Sequence, residues 1–294
     1  MSKCLVTGHL GYIGSRVFEA LVKQGHDVRG IDLKQSKYNG DILEDLGHIH
    51  TSQIGLASVS GEYRDFKPEF IFHLAAIPRV PYSVEFPVEV LENNITSTLR
   101  VLEYARLSGA KRVIYSSSSS VVGNGNGPTS PYGASKLIPE ILCKNYSDVY
   151  GVDTVSLRYF NVYSKDQEVD GPYATAIANF MHAVRQGHNP FITGDGEQRR
   201  DMLHVTDAVS ANLFCMSHDL DFNGQSFDVA TGSNISLNEV KEIINKYHPE
   251  VVFNYVGERT GDVRVTKADT EPLKKLGWTT RVGIKSGIEE CFNF

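Results

Sequence analysis

A tyrosine and a lysine stand four residues apart in the segment Tyr132-Gly133-Ala134-Ser135-Lys136, so a phenol and an ammonium group would share one face of a helix. A cation close to a phenol stabilises the phenolate, and the spacing therefore predicts that the pKa of Tyr132 falls toward neutrality. A phenolate near neutral pH can act as a general base. The chain has 14 tyrosines, and such a spacing also arises by chance, so the context of the pair has to support this interpretation.

A run of five serines, Ser116 to Ser120, precedes the pair and directly follows the apolar residues Val113-Ile114-Tyr115. The run alone fits either a flexible linker or the end of a strand that opens into a site. A short loop rich in Gly, Asn and Pro joins the run to Tyr132. If the run is the end of a strand, its hydroxyl groups would lie near the phenol of Tyr132.

Three glycines, Gly8, Gly11 and Gly14, form a loop between a predicted strand and a predicted helix. Such a loop lets the backbone and the helix N-terminus approach a pyrophosphate, although the residues alone fit a structural turn equally well. Asp32 ends the next predicted strand, where a carboxylate can bind ribose hydroxyls and repel a 2′-phosphate. The pattern predicts NAD rather than NADP. Lys34 is a contrary signal, and a solvated strand end is the alternative for Asp32.

Short β-branched runs alternate with longer helical patterns through the first half of the chain, which is typical of βαβ units. In the helical patterns, apolar residues recur at spacings of three and four. The alternation predicts an α/β fold with a Rossmann-type doubly wound parallel sheet. The predicted strands are Lys3–Thr7, Asp27–Asp32, Phe70–Leu74, Arg112–Tyr115 and Thr154–Arg158, and the predicted helices are Ile13–Lys23, Pro87–Ser108 and Tyr132–Tyr150.

The alternation weakens after Arg158, where the chain becomes rich in Gly, Pro and Asp before a further αβ stretch from Val205 to Val229. This change predicts a second, smaller lobe that is discontinuous in sequence. We assign residues 1–163, with about 202–230, to the cofactor-binding domain. Residues from about 164–201 and 231–294 are assigned to the smaller, substrate-binding lobe.

The composition excludes several classes of protein. The 294 residues suffice for a large core, and 41% hydrophobic residues without a run of 18 argue against a membrane span. A net charge of −6 without a basic stripe argues against nucleic acid as a partner. Four cysteines without a CxxC pair argue against a disulfide scaffold or a zinc site, so no metal is expected. The N-terminal residues lack a secretory pattern, which predicts a cytoplasmic protein.

Recognisable motifs run along the whole chain, from Thr7 to Trp278. They are Thr7-Gly8-x-x-Gly11-x-x-Gly14, His73-Leu74-Ala75-Ala76, Asn94, the serine run, Ser130-Pro131-Tyr132-Gly133-Ala134-Ser135-Lys136, Leu157-Arg158-Tyr159-Phe160-Asn161, Gly194-Asp195-Gly196-x-Gln198-x-Arg200-Asp201-x-x-His204-Val205-x-Asp207 and Arg259-x-Gly261-Asp262. These motifs resemble those of the extended short-chain dehydrogenase/reductases that act on nucleotide sugars. Their order makes the resemblance specific for this superfamily.

The resemblance implies NAD as cofactor and a nucleotide sugar as the ligand of the smaller lobe. The oxidised nicotinamide would add a second positive charge beside Tyr132. Ser118, 14 residues before Tyr132, matches the family serine that binds the reacting sugar hydroxyl. The residues implied to contact the cofactor are Gly8, Gly11, Tyr12, Ile13, Gly14, Asp32, Asp41, Ile42, Leu74, Ala75, Ala76, Asn94, Tyr132 and Lys136.

In the family that the chain resembles, the two positions after Ser118 differ between enzymes with different activities. Sugar-nucleotide 4,6-dehydratases carry an Asp-Glu pair where Ser119 and Ser120 stand, and UDP-glucuronate decarboxylases carry a glutamate in place of Ser120. Epimerases that act at C3 and C5 need a further acid or base, which is absent. The remaining set suffices for 4-epimerisation of a UDP-hexose. A nucleotide-sugar 4-ketoreductase is the alternative, whereas an NAD-sensing protein without chemistry is disfavoured because Tyr132 and Lys136 are both present.

Further residues are implied to bind the substrate. The family assigns the diphosphate to Asn161, Arg200 and Arg259, and arginine forks suit phosphate oxygens. Ordinary surface arginines and a loop amide are the alternatives. Asp262 is implied to contact the nucleotide ribose. Thr266 stands where a bulky aromatic excludes N-acetylated sugars in some hexose 4-epimerases, so we expect UDP-N-acetylglucosamine and its galacto epimer to be accepted.

The resemblance also implies an assembly. Helices at about 94–108 and 132–150 form a four-helix interface in many relatives, which predicts a homodimer. His73 and His204 are expected to be structural. The sequence leaves the nucleotide base and the preferred sugar open.

Overall fold

The chain folds into two compact units, which are described separately below. The computed structural model describes residues 1–33, 42–43, 65–123, 125–167, 169, 175–258 and 264–294, with residues 42–43 described as backbone only. The first unit comprises Met1–Val122, Gly127–Arg158 and Val209–Phe227, and the second comprises Gly123–Asn126, Tyr159–Ala208 and Asp228–Phe294. The assignment of cofactor and substrate to separate domains stays a prediction.

Within the described residues, the central sheet has seven strands in the order β11-β6-β5-β4-β1-β2-β3. β1 pairs in parallel with both β2 and β4, so that Thr7 lies opposite Ile31 and His73. The carboxyl ends of these strands therefore meet at one edge, and the predicted α/β Rossmann-type sheet is confirmed. The strands are β1 (Lys3–Thr7), β2 (Asp27–Asp32), β3 (Ile42–Leu43), β4 (Phe70–His73), β5 (Arg112–Ser118), β6 (Asp153–Tyr159) and β11 (Gln225–Val229).

Helices of the first unit begin and end at residues whose types explain the boundaries. α3 has Pro87 as its first residue, and it ends before Gly109, which adopts a left-handed conformation with φ of 73°. Ser130 caps α4 by accepting a hydrogen bond from the Gly133 N–H at 3.1 Å. The predicted helices are confirmed within one residue at each end. The bounds are α1 (Tyr12–Lys23), α2 (Val80–Glu85), α3 (Pro87–Ser108) and α4 (Pro131–Tyr150).

The serine run continues strand β5 as far as Ser118 and then forms a short 3₁₀ turn, Ser119–Val121. Ser116 and Ser117 are 6% and 4% exposed, which does not fit a linker. The prediction that the run is the end of a strand is therefore confirmed, and the linker interpretation is wrong. Both residues are hydrogen-bonded where they are buried, and these hydrogen bonds compensate for the loss of hydration.

The second unit contains short strand pairs and helices around an apolar core. Ile177, Met181, Ile192, Val240 and Ile244 are buried in this core. Two of the strand pairs are parallel and one is antiparallel. The bounds are β7 (Val162–Tyr163), β8 (Phe191–Thr193), β9 (Arg199–Arg200), β10 (Leu203–His204), β12 (Ile235–Ser236), β13 (Asn254–Val256), α5 (Ala176–Arg185), α6 (Val205–Ser217), α7 (Leu237–Tyr247), α8 (Glu271–Lys275) and α9 (Ile284–Phe292).

The four cysteines, Cys4, Cys143, Cys215 and Cys291, are all buried free thiols. Burial raises the pKa of each to about 12, so none is a reactive thiolate at neutral pH. In the part of the chain that the structure describes, no helix combines the length and the apolar character needed to cross a bilayer.

Candidate active site

The first turn of α4 carries Tyr132 and is fixed on both sides. The Tyr132 backbone N–H donates to Ser83 Oγ at 3.0 Å, and Ser135 Oγ donates to the Tyr132 carbonyl at 2.8 Å. A Cβ on Gly133 would lie 2.5 Å from the Ser120 carbonyl oxygen. Only glycine therefore allows α4 to approach the serine turn this closely, which brings Tyr132 to the end of β5.

Ser118 lies close enough to Tyr132 for its hydroxyl to lower the pKa of the phenol, and the same hydroxyl donates to Ser120 Oγ at 3.2 Å. The Lys136 ammonium by itself does not lower the pKa of Tyr132, contrary to what the i, i+4 spacing predicts. Burial raises that pKa, and the Ser118 hydroxyl and the Arg79 guanidinium oppose the increase. Desolvation of the phenol is invisible in the i, i+4 spacing, which is why the sequence pattern misjudged the direction.

Lys136 lies beneath the end of β5 and is 4% exposed. Its Nζ donates to the Ser116 carbonyl at 2.9 Å and lies 5.2 Å from the centre of the Tyr115 ring. Burial lowers the pKa of Lys136 to about 8, and the Glu140 carboxylate opposes that decrease. The ammonium form still predominates at neutral pH.

Arg79 is a residue that the sequence analysis missed. It has a φ of 93°, which is rare outside glycine, and it precedes the first residue of α2. The Ser83 N–H donates to the Arg79 carbonyl at 3.2 Å, and Ser83 in turn binds the Tyr132 backbone. No spacing in the sequence relates Arg79 to Tyr132, because the two residues are 53 positions apart and meet only through the packing of α2 on α4.

Replacing Arg79 with glutamine is expected to raise the pKa of Tyr132 further, because a cation that stabilises the phenolate is removed. In the enzyme with NAD bound, where the nicotinamide charge also favours the phenolate, the acidic limb of the activity profile should move upward by about one pH unit. Arg79→Lys keeps the charge at the same strained backbone position and should retain a limb near that of the parent protein. The shift is checked by measuring kcat/KM for the sugar-nucleotide substrate from pH 5 to 10. An acidic limb at the same pH in Arg79→Gln and in the parent protein would contradict the prediction.

The glycine loop is tight and closes against the ends of β1 and β2. The Gly8 N–H donates to the Ile31 carbonyl at 2.7 Å, and the Gly11 N–H donates to the Gly8 carbonyl at 3.0 Å. A Cβ on Gly14 would lie 2.0 Å from the Gly8 oxygen. Gly11 precedes α1 without a side-chain cap, and the predicted contacts Tyr12 and Ile13 form its first turn. The helix N-terminus thus meets the requirement for pyrophosphate binding.

Asp32 lies at the end of β2, half-buried, where the sequence placed it. Its Oδ2 accepts the Leu10 N–H at 2.9 Å, so the carboxylate also holds the glycine loop. The sequence analysis did not anticipate this contact, since it requires the loop to fold back across the sheet edge.

A buried chain of hydrogen bonds connects the glycine loop to α3. Thr7 Oγ1 lies 2.7 Å from His73 Nδ1, and His73 Nε2 lies 3.0 Å from Thr98 Oγ1. The Thr98 hydroxyl donates to the Asn94 carbonyl at 2.8 Å and therefore accepts the Nε2 proton. Burial, with the Lys136 cation, lowers the pKa of His73 to about 3. His73 is thus a neutral structural residue, as expected.

Asn94 continues this chain to α4. Its Oδ1 accepts the Ile77 N–H at 2.7 Å, and its Nδ2 donates to the Ile77 carbonyl at 3.0 Å and to Ser135 Oγ at 2.9 Å. The amide thereby orders the segment after β4 that contains the predicted cofactor contacts Leu74, Ala75 and Ala76. The Ala75 N–H also donates to Thr7 Oγ1 at 3.3 Å.

In the second unit, three predicted substrate residues gather around the backbone of residues 199–201. Asn161, with a φ of 42°, donates from Nδ2 to the Asp201 carbonyl at 2.7 Å. Arg200 donates to the Arg199 carbonyl at 3.0 Å. Thr266 Oγ1 accepts the Asp201 N–H at 3.3 Å. These contacts fix the position of all three residues near one another.

Four predicted site residues lie wholly or partly outside this description. Asp41, Arg259 and Asp262 are outside the described residues, and Ile42 is described only as part of β3. Within the described ranges, no cluster of three or more His, Cys, Asp or Glu side chains could hold a metal ion.

Comparison with known proteins assigns the chain to a family. The model of the NAD dependent epimerase/dehydratase family matches residues 4–230. The chain belongs to this family. NAD is therefore its cofactor, and the uncapped α1 N-terminus, the close-packed glycine loop and Asp32 at the end of β2 fit that group.

Several members of the epimerase/dehydratase family are similar to the chain over most of its length. The UDP-N-acetyl-alpha-D-glucosaminuronate decarboxylase of Bacillus cytotoxicus is 34% identical, over 83% of this chain and 79% of the relative. The UDP-glucose 4-epimerase of Mycolicibacterium smegmatis is 32% identical, over 99% and 98%. The structure of UDP-N-acetylglucosamine 4-epimerase from Methanobrevibacter ruminantium, in complex with UDP-N-acetylmuramic acid, is similar with a TM-score of 0.87, 31% identity and coverage of 99% and 97%.

Proposed function

We propose that this enzyme catalyses the NAD-dependent 4-epimerisation of a UDP-hexose. The observation that carries the proposal is the arrangement of Ser118, Tyr132 and Lys136 at the end of β5, with Ser119 and Ser120 following. Two of the similar proteins named above are UDP-sugar 4-epimerases. By resemblance, UDP-glucuronate decarboxylases carry glutamate where Ser120 stands, so we favour epimerisation over the reaction named for the decarboxylase relative.

In this mechanism, NAD held by the glycine loop and Asp32 would supply reversible hydride transfer at C4 of the sugar, on either face of the ring. Tyr132 accepts the proton of the 4-hydroxyl and later gives it back. Ser118 hydrogen-bonds the same oxygen and orients it. Lys136 supplies positive charge that favours the phenolate in the complex. We further propose that the first unit binds NAD and that Asn161, Arg200, Arg259 and Asp262 bind the UDP portion.

The proposal is tested by incubating the purified protein with UDP-glucose, UDP-galactose and their N-acetyl counterparts without added reductant. Chromatographic separation of the products should detect interconversion of at least one epimeric pair without net oxidation or reduction. Consumption only when NADH or NADPH is supplied would instead identify a 4-ketoreductase. Release of CO₂ from a UDP-hexuronate, with no epimerisation, would identify a decarboxylase.

Thr266 provides a prediction about the sugar. Its side chain is small and is held by the Asp201 N–H, so a 2-acetamido group is expected to be accepted. Thr266→Tyr should lower kcat/KM for UDP-N-acetylglucosamine by about tenfold or more, the effect of a steric clash of about 1.4 kcal/mol, and leave UDP-glucose turnover largely intact. Thr266→Ser is the matched control. Equal losses on both sugars in Thr266→Tyr would contradict the prediction.

We also propose a homodimer formed through α3 and α4. Several large apolar side chains on these helices are exposed, and their burial would be favourable. Ile141→Lys should shift the protein toward monomer in light scattering at micromolar concentration. Val252→Lys, at a site of equal 60% exposure in the second unit, is the control. Retention of the parent mass by Ile141→Lys would count against the interface. The exposed residues are Val88, Leu107, Ile138, Ile141, Val149 and Tyr150.

A further inference from the structure

A buried carboxylate, Glu140, lies one helical turn after Lys136 on α4 and is 5% exposed. It joins α4 to three neighbouring strands of the sheet. Ser117 Oγ on β5 donates to Oε1 at 2.5 Å, and Ser226 Oγ on β11 donates to Oε2 at 3.0 Å. Arg158 on β6 donates through Nη2 at 2.6 Å and through Nε at 2.9 Å. A buried carboxylate with this many donors is held in one position.

The side chains of Lys136 and Glu140 reach consecutive residues of β5. Lys136 Nζ binds the Ser116 carbonyl, and Glu140 binds the Ser117 hydroxyl. Both side chains therefore lie in the narrow space between α4 and β5, directly behind Ser118. In such a desolvated space, a negative charge one turn away favours the charged form of an ammonium group.

Other titratable groups face Lys136 from the elements packed around it. His73 on β4 is neutral because its pKa is lowered to about 3, and Tyr115 on β5 is neutral because burial raises its pKa. Tyr132 lies one turn before Lys136 on α4, and its pKa is also raised. Among these described groups, Glu140 is the one whose negative charge can offset the desolvation of the ammonium.

We propose that Glu140 is a positioning residue for the catalytic lysine: its buried carboxylate keeps Lys136 protonated, and its bond to Ser117 holds the serine strand against α4. The inference rests on the proposed function for the role of Lys136 in the reaction. The charge effect itself can be measured without any substrate.

The direct test is the titration of Lys136 by NMR in protein labelled with ¹³C at the lysine Cε, with the signal assigned by Lys136→Met. The parent midpoint is expected near pH 8. In Glu140→Gln, which preserves the shape of the side chain, the midpoint should fall by about one pH unit or more. Asp148→Asn is the matched control, because Asp148 pairs with Lys144 on the exposed side of the same helix.

Glu140→Gln leaves the Arg158 guanidinium without its partner and can impair folding. The double variant Glu140→Gln/Arg158→Met removes both charges and should recover stability, with Lys136 still titrating below the parent midpoint. A parent-like midpoint in either folded variant would overturn the proposal.

Activity supplies a second readout. In the single and double variants, the loss of kcat with rising pH should occur about one pH unit lower than in the parent enzyme, in step with the shifted midpoint of Lys136. A loss of activity that is uniform with pH would indicate a structural role only. If the parent protein shows no epimerase activity at all, the proposed function fails while the NMR titration still decides the effect of Glu140 on Lys136.

Discussion

Tyr132→Phe is expected to lower kcat for interconversion of the UDP-sugars by about 10³-fold, the usual scale of losing a positioned general acid–base group. The change removes only the phenolic oxygen. Burial raises the pKa of that phenol, and Ser118 and Arg79 oppose the increase. The backbone contacts of Tyr132 with Ser83 and Ser135 do not involve that oxygen. The fold of α4 and the binding of NAD should therefore be preserved.

Tyr146→Phe is the matched control, since Tyr146 lies on the same helix and its hydroxyl contacts Glu103 outside the proposed site. Product formation measured by chromatography and NAD binding measured by calorimetry together test the prediction. Turnover by Tyr132→Phe at the level of Tyr146→Phe would rule out the proposed general base. Loss of NAD binding in Tyr132→Phe would indicate that the phenol serves the cofactor rather than proton transfer.

Arg112→Met is expected to lower the free energy of unfolding by about 3–5 kcal/mol, the usual cost of breaking a buried ion pair from one side. Arg112 is 1% exposed and pairs with Asp153, which is also buried. Its guanidinium further donates to the carbonyl groups of Cys215, His218 and Leu220. The substitution would leave an unpaired carboxylate and three carbonyl groups without their donor.

Urea denaturation followed by circular dichroism measures this loss. Lys144→Met removes one partner of an exposed ion pair with Asp148 and should leave the midpoint nearly unchanged. Asp153 also accepts the backbone N–H groups of Phe222 and Asn223 at 2.8 and 2.9 Å, so Asp153→Asn should be destabilising as well. Equal stability of Arg112→Met and Lys144→Met would contradict the assignment.

Local features of the sequence predicted the main elements of the first unit. The helices that begin at Pro87 and Pro131 were predicted within one residue, because proline at the first turn and glycine after the last turn are local signals. The strand carrying the serines was predicted three residues short. Its last residues are polar, and only their hydrogen bonds in the folded chain explain why they stay in the sheet.

The sequence by itself determined the fold class, the family and the glycine, serine, tyrosine and lysine residues of the proposed site, since these depend on residue type at fixed spacing. Only the tertiary structure decided the pKa shifts of the tyrosine and the lysine. Arg79 and Glu140 act on Tyr132 and Lys136, and burial reverses the expected direction of the Tyr132 pKa. Desolvation and contacts between distant segments depend on how the elements pack, and no spacing along the chain encodes them directly.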